Sequence, residues 1–125
     1  MAAETFPVDP RSVAAARRLV SVALDGHAPG VVEDAVLLTS ELVTNAVRHA
    51  GSTVRVVVAV DDRLVRVEVH DDSPVHPVVG PAPSTATGGR GMPMVDVLAR
   101  RWGVTAGADG GKAVWFELGV SGARG

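Results

Sequence analysis

Leu37-Leu38-Thr39-Ser40-Glu41-Leu42-Val43-Thr44-Asn45-Ala46-Val47-Arg48-His49-Ala50 is the stretch on which the reading of the fold turns. At the helical period it separates into two faces. Leu42, Val43, Ala46, Val47 and Ala50 share one side with Ala35, Val36 and Thr39. Glu41, Asn45, Arg48 and His49 share the other, at spacings i, i+4, i+7 and i+8, so they neighbour one another along the axis. The outer face of a helix packed on a sheet needs only solubilising charge, and Lys or Glu would supply it. Here an acid, an amide, a guanidinium and an imidazole follow on successive turns. They offer an acceptor that can act as a base, a neutral oxygen ligand for a hard metal, a phosphate partner and a second donor. A solvated face and a site are equally compatible with this stretch taken alone.

Outward from this helix, expected over residues 32–50 with Gly51 as a C′ glycine, the chain carries one helix before it, and four strands and a short helix after it. Asp9-Pro10 reads as an N-cap followed by Pro at the first helical position, and Val13, Ala16, Val20 and Leu24 mark an apolar stripe. Gly26 is the expected stop, and His27-Ala28-Pro29-Gly30 reads as a loop. Thr-Val-Arg-Val-Val-Val-Ala-Val over residues 53–60 is a β-branched run suited to a buried strand. Asp61-Asp62 is a turn. Residues 63–70 then alternate, with Val65, Val67 and Val69 on one face and Arg66, Glu68 and His70 on the other. Residues 74–91, rich in proline and glycine, are long for a plain connection and read as a lid or binding loop. That lid is expected to lack order without a ligand, because it buries too little. A short helix over 92–100 and two strands over 102–106 and 112–118 complete the pattern, with a frayed tail at 119–125. Helices and strands in this order form a two-layer α/β (α+β) sandwich, a mainly antiparallel sheet covered on one face.

Bulk composition narrows the function classes. The chain has 125 residues, 46% hydrophobic and 21% charged, which suits one globular domain over 1–125. A net charge of −2 without a Lys/Arg run gives no footprint for direct nucleic-acid binding, and 3% aromatics offer no base-stacking surface. The absence of Cys excludes disulfides, thiolate metal sites and Cys nucleophiles. No apolar run approaches a membrane span and the N-terminus does not resemble a signal peptide, so a cytoplasmic protein without membrane association is expected.

Three signals carry chemistry: the Glu41/Asn45/Arg48/His49 face; Asp71 at a strand end with Ser73 two residues on; and Gly88-Gly89-Arg90-Gly91 before a helix. Glycines ahead of a helix suit phosphates, because the backbone can approach closely and its N–H groups stay available. A strand-end carboxylate can accept a hydrogen bond from an exocyclic amine such as that of adenine. Asp-x-Ser is also the pattern of a plain Asx-turn, and the glycines also suit simple flexibility. His70 and Asp71 lie on opposite faces of a strand, which argues against a shared metal. Gly107-Ala108-Asp109-Gly110-Gly111-Lys112-Ala113 is one residue short of a P-loop and lacks its Ser/Thr, and Gly89-Arg90-Gly91 lacks the third glycine of a dinucleotide fingerprint.

Taken together, these residues resemble the GHKL ATPase superfamily, and within it the anti-sigma-factor serine/threonine kinase branch. Glu41-Leu42-Val43-Thr44-Asn45-Ala46-Val47-Arg48-His49-Ala50 is similar to that family's N box, and Val67-Glu68-Val69-His70-Asp71-Asp72-Ser73-Pro74 to its first glycine box. Gly88-Gly89-Arg90-Gly91-Met92-Pro93-Met94-Val95 is similar to the second, and Gly111-Lys112-Ala113-Val114-Trp115-Phe116-Glu117-Leu118 to the closing strand. The resemblance covers about residues 9–119. It implies the Bergerat ATP-binding fold, with ATP and Mg²⁺ as cofactors. By this resemblance Glu41 would be the general base and Asn45 the Mg²⁺ ligand. Asp71, with Ser73 beside it, would hold the adenine amine. Arg48 and His49 on the helix, and Gly89, Arg90, Gly91 and Met92 in the second box, would face the nucleotide. The implied partners are an anti-sigma antagonist, which is phosphorylated on serine, and a sigma factor, which is sequestered; a homodimer is also implied. Ser73 departs from the usual glycine of the first box, Ala113 from a threonine beside the adenine site, and Pro93 falls inside the second box. These departures leave a second reading open, a non-catalytic ATP-binding interaction module, whereas Glu41 favours the kinase. A stand-alone ATPase is disfavoured for want of an evident transducer domain, and a sensor histidine kinase because 125 residues leave no room for a dimerisation helix pair.

Overall fold

The structure, a computed structural model, describes residues 1–49, 51, 53–73, 93–107 and 110–120. In chain order these form β1 (Ala2–Pro7), α1 (Arg11–Ala23), α2 (Pro29–His49), β2 (Thr53–Val60), β3 (Leu64–Asp71), α3 (Pro93–Leu98), β4 (Arg101–Ala106) and β5 (Lys112–Gly119). The strands make one antiparallel sheet in the order β1-β2-β3-β5-β4. The helices pack on one of its faces, giving the two-layer α+β sandwich expected from the residue pattern.

Alternation fixes the sheet's orientation. Val54, Val56 and Val58 of β2, Val65, Val67 and Val69 of β3, and Val114, Phe116 and Leu118 of β5 all point to the helix side and are buried. They meet Leu38, Leu42, Val43 and Ala46 of α2 and Ala16 and Val20 of α1. The opposite face is polar. Arg66 bridges Glu68 and its cross-strand partner Glu117, both at 2.8 Å, and its guanidinium lies 4.0 Å from the centre of the Trp115 ring. Trp115 in turn leaves no room for a side chain at Gly103, where a Cβ would stand 2.6 Å from the ring.

Several boundaries differ from the sequence reading. Strand β1 falls where no element was expected; Ala-Ala-Glu-Thr-Phe-Pro shows no alternation, and only Phe6 is buried, opposite Val54. Helix α2 begins at Pro29, three residues before its expected start, because Pro suits a first helical position and the carbonyl of Ala28 accepts from Val31 and Val32. Gly26 does not itself end α1: the helix stops at Ala23, and Gly26 turns the chain with φ +91°. Gly51 is not a left-handed C′ glycine, since among the described residues only Gly26 and Gly110 have positive φ. The tail is ordered further than expected, β5 running to Gly119 and Val120 donating to the carbonyl of Arg63 at 2.9 Å. Residues 74–92, which hold the expected lid, lie outside the described residues.

Candidate functional site

Helix α2 presents its site residues along the flank beside its buried stripe. Glu41 and Asn45 are half-buried, while Arg48 and His49, one turn further, are exposed. Helix α3 packs against α2. Its first residue is Pro93, which has no N–H, so the first free donors of its N-terminus belong to Met94 and Val95. The Glu41 carboxyl accepts from both. Its Oε1 is buried with no hydrogen-bond partner among the described residues. Burial pushes the carboxyl above its ordinary value, and the two backbone hydrogen bonds pull in the opposite direction without cancelling the effect. The result is a carboxylate held from one side, with a desolvated oxygen left over.

At the end of β3 the chemistry differs. Asp71 and Lys112 are directly opposed across the β3–β5 pair, both on the helix-covered side of the sheet. Lys112 Nζ donates to Asp71 Oδ1 at 2.9 Å, to Asp71 Oδ2 at 3.0 Å and to the Ser73 carbonyl at 3.3 Å. The Ser73 N–H donates back to Asp71 Oδ1 at 2.8 Å, closing an Asx-turn. The two charged side chains are only 1% and 2% exposed. Asp71 therefore takes the turn role its Asp-x-Ser pattern allowed, and is also half of a buried ion pair. Ser73 is itself buried.

The neighbouring residues draw three chain ends together. Asp72 Oδ1 accepts the Gly51 N–H at 2.6 Å, tying the segment just past α2 to the end of β3. Gly111, immediately before β5, lies so close to the backbone of Asp71 and Asp72 that a Cβ there would run into the Asp71 carbonyl oxygen. His70 turns to the open face, where its Nε2 lies 2.9 Å from Glu68 Oε1, so it diverges from Asp71 as the strand period required.

Of the ten site candidates, the structure places Glu41, Asn45, Arg48 and His49 on α2 and Asp71 and Ser73 at the end of β3. Gly89, Arg90, Gly91 and Met92 lie outside the described residues. Lys112 and Gly111 belong to the closing-strand motif, in which the sequence alone assigns them no role. The signal that could have found them is the register, because both lie where β5 meets the end of β3. Among the described residues no group of three or more His, Asp or Glu side chains could hold a metal ion by itself. A cation at Asn45 would therefore depend on phosphate oxygens and water for most of its ligands. No described helix is long and apolar enough to cross a membrane.

A five-stranded antiparallel sheet roofed on one side by helices, with an acid and an amide on the helix flank and a carboxylate at a central strand end, defines a two-layer α+β sandwich domain with its polar candidates on α2 and at the end of β3. Residues 6–118 match the sequence model of the histidine kinase-like ATPase domain, and the chain belongs to that family. No curated protein matches the chain. Family membership supports ATP as the ligand. The described residues fit ATP and Mg²⁺ unequally. The Glu41/Asn45 flank offers a spare acceptor and a neutral oxygen ligand, whereas both oxygens of Asp71 already hold a donor.

Proposed function

We propose that this chain is an ATP-binding regulatory protein that acts as a serine/threonine kinase of the anti-sigma-factor type. The observation that carries the catalytic part is Glu41, whose buried Oε1 has no partner among the described residues and whose pKa is raised by burial, one helical turn from Asn45. A base of this kind can take the proton of a serine hydroxyl as that oxygen attacks phosphorus. Asn45 contributes a neutral oxygen ligand to Mg²⁺, and Arg48 and His49 extend the same flank towards phosphate. ATP would supply the transferable γ-phosphoryl group, and phosphoryl transfer asks a protein mainly for positioning and charge stabilisation. The partners in this reading are an anti-sigma antagonist carrying the acceptor serine and a sigma factor held in complex, with the chain acting as a homodimer.

A second reading, a non-catalytic interaction module on the same fold, is favoured by the engagement of Asp71 with Lys112. Calorimetric titration with ATP, with and without Mg²⁺, on the wild type and Asn45→Ala decides between them. Saturable Mg²⁺-dependent binding that falls at least tenfold in Asn45→Ala is expected. Binding indifferent to both Mg²⁺ and the substitution would remove Asn45 from the site. No binding by the wild type at millimolar ATP would favour the interaction module.

A further inference from the structure

The Asp71 carboxylate is the acceptor that a purine amine would need, and among the described residues three hydrogen bonds already reach it in a side chain only 1% exposed. Oδ1 accepts from Lys112 and from the Ser73 N–H, and Oδ2 accepts from Lys112. An ammonium has three hydrogens, and those of Lys112 go to Asp71 Oδ1, Asp71 Oδ2 and the Ser73 carbonyl. The Asp71–Lys112 pair is buried, and the backbone at Gly111 packs against the Asp71–Asp72 backbone. An exocyclic amine and a lysine ammonium are both donors and would compete for the same oxygens. Displacing Lys112 would leave a buried charge without its partner, which a single neutral hydrogen bond from a base does not offset.

We propose that Lys112 is a specificity-determining residue, occupying on Asp71 the donor position that a purine 6-amino group would otherwise take. The base is then not read at Asp71. Nucleotides are selected by their phosphates, and purine triphosphates with and without the 6-amino group are held alike. The inference rests on the nucleotide site proposed above and concerns the opposite end of it from Glu41 and Asn45. It also gives Lys112 a role that turn geometry alone does not need, since the Ser73 N–H completes the Asx-turn without it.

The test is a displacement titration of ATP against purine riboside 5′-triphosphate, which lacks the 6-amino group, on the wild type, Lys112→Thr and Lys112→Gln. The wild type is expected to bind the two within about twofold. Lys112→Thr removes the competing donor and is expected to favour ATP at least tenfold, the usual scale of a hydrogen bond to a charged group. Lys112→Gln keeps an N–H donor against Asp71 and is expected to stay near the wild-type ratio. Binding of ATP by Lys112→Thr when the wild type binds neither ligand overturns it, because phosphates alone then do not hold a nucleotide in the wild type. A tenfold wild-type preference for ATP overturns it while leaving the nucleotide site standing, and this arm needs no variant to fold. A folded Lys112→Thr that binds both ligands equally overturns it as well. Binding of no nucleotide by the wild type or by a folded Lys112→Thr overturns both this inference and the site reading on which it rests.

Discussion

Glu41 shows how one side chain can serve packing and chemistry together. Its carboxyl satisfies the Met94 and Val95 donors of α3 and pays for that position in solvation, with Oε1 buried and without a partner among the described residues. Burial raises its pKa above the ordinary 4.5, so the folded state binds this proton more tightly than the unfolded chain does. Its contribution therefore favours folding below the ordinary value and is lost as pH rises through the raised folded value. Glu41→Gln keeps the shape and an acceptor oxygen but does not titrate. The melting temperature of the variant minus that of the wild type should climb as pH goes from about 4 to about 7. Parallel melting curves across that range would show that burial does not govern this carboxyl. The same residue was legible in the sequence as a candidate base from its helical spacing. Its hold on α3 was not, because which helix end meets which helix flank is a tertiary fact. Asp71 is the converse case: the sequence showed an acceptor at a strand end, and the structure shows the donor already seated on it.

Among elements, the legible ones are those whose period is written in large apolar residues. Helix α2 carries buried Leu38, Leu42, Val43 and Ala46, and β3 alternates without a break, so both could be read to within a few residues. Strand β1 could not, since its place at the sheet edge rests on backbone pairing with β2 and on one buried side chain, Phe6. The junction of α2, β3 and β5 was equally hidden. There Asp72 holds the Gly51 N–H and Gly111 lies against the Asp71–Asp72 backbone, contacts that depend on three separate stretches of chain. At Gly111 the requirement is steric, because its φ is not positive. Gly111→Ala would press a methyl group onto a carbonyl oxygen that cannot rotate away, at a cost of roughly 1–3 kcal/mol. The urea midpoint should fall accordingly, with an unchanged m-value. A midpoint equal to that of the wild type would mean that β5 can shift outward without loss.

For the whole molecule, the sandwich depends on β5, which sits between β3 and β4 and carries Phe116 into the centre of the core. Phe116 is the largest fully buried side chain among the described residues. Phe116→Ala should cost about 3–5 kcal/mol and appear as a large drop in thermal midpoint. A loss below about 1 kcal/mol would mean that the core collapses around the cavity with ease. The strand itself was legible from its composition. Its position next to β3 was not, because α3 and β4 intervene in the chain and nothing local announces the return.

That return raises a question of addressing, to which the buried ion pair is an answer. Val65, Val67 and Val69 face Leu118, Phe116 and Val114, and sliding β5 by two residues would still turn every apolar side chain inward. Hydrophobic patterning alone therefore permits more than one alignment of these two strands. The slipped alignment would set Val114 against Asp71, parting two charges that are otherwise buried together. In a chain so rich in repeated valine, one aspartate and one lysine mark the offset of these two neighbouring strands, since only the observed register keeps the pair together.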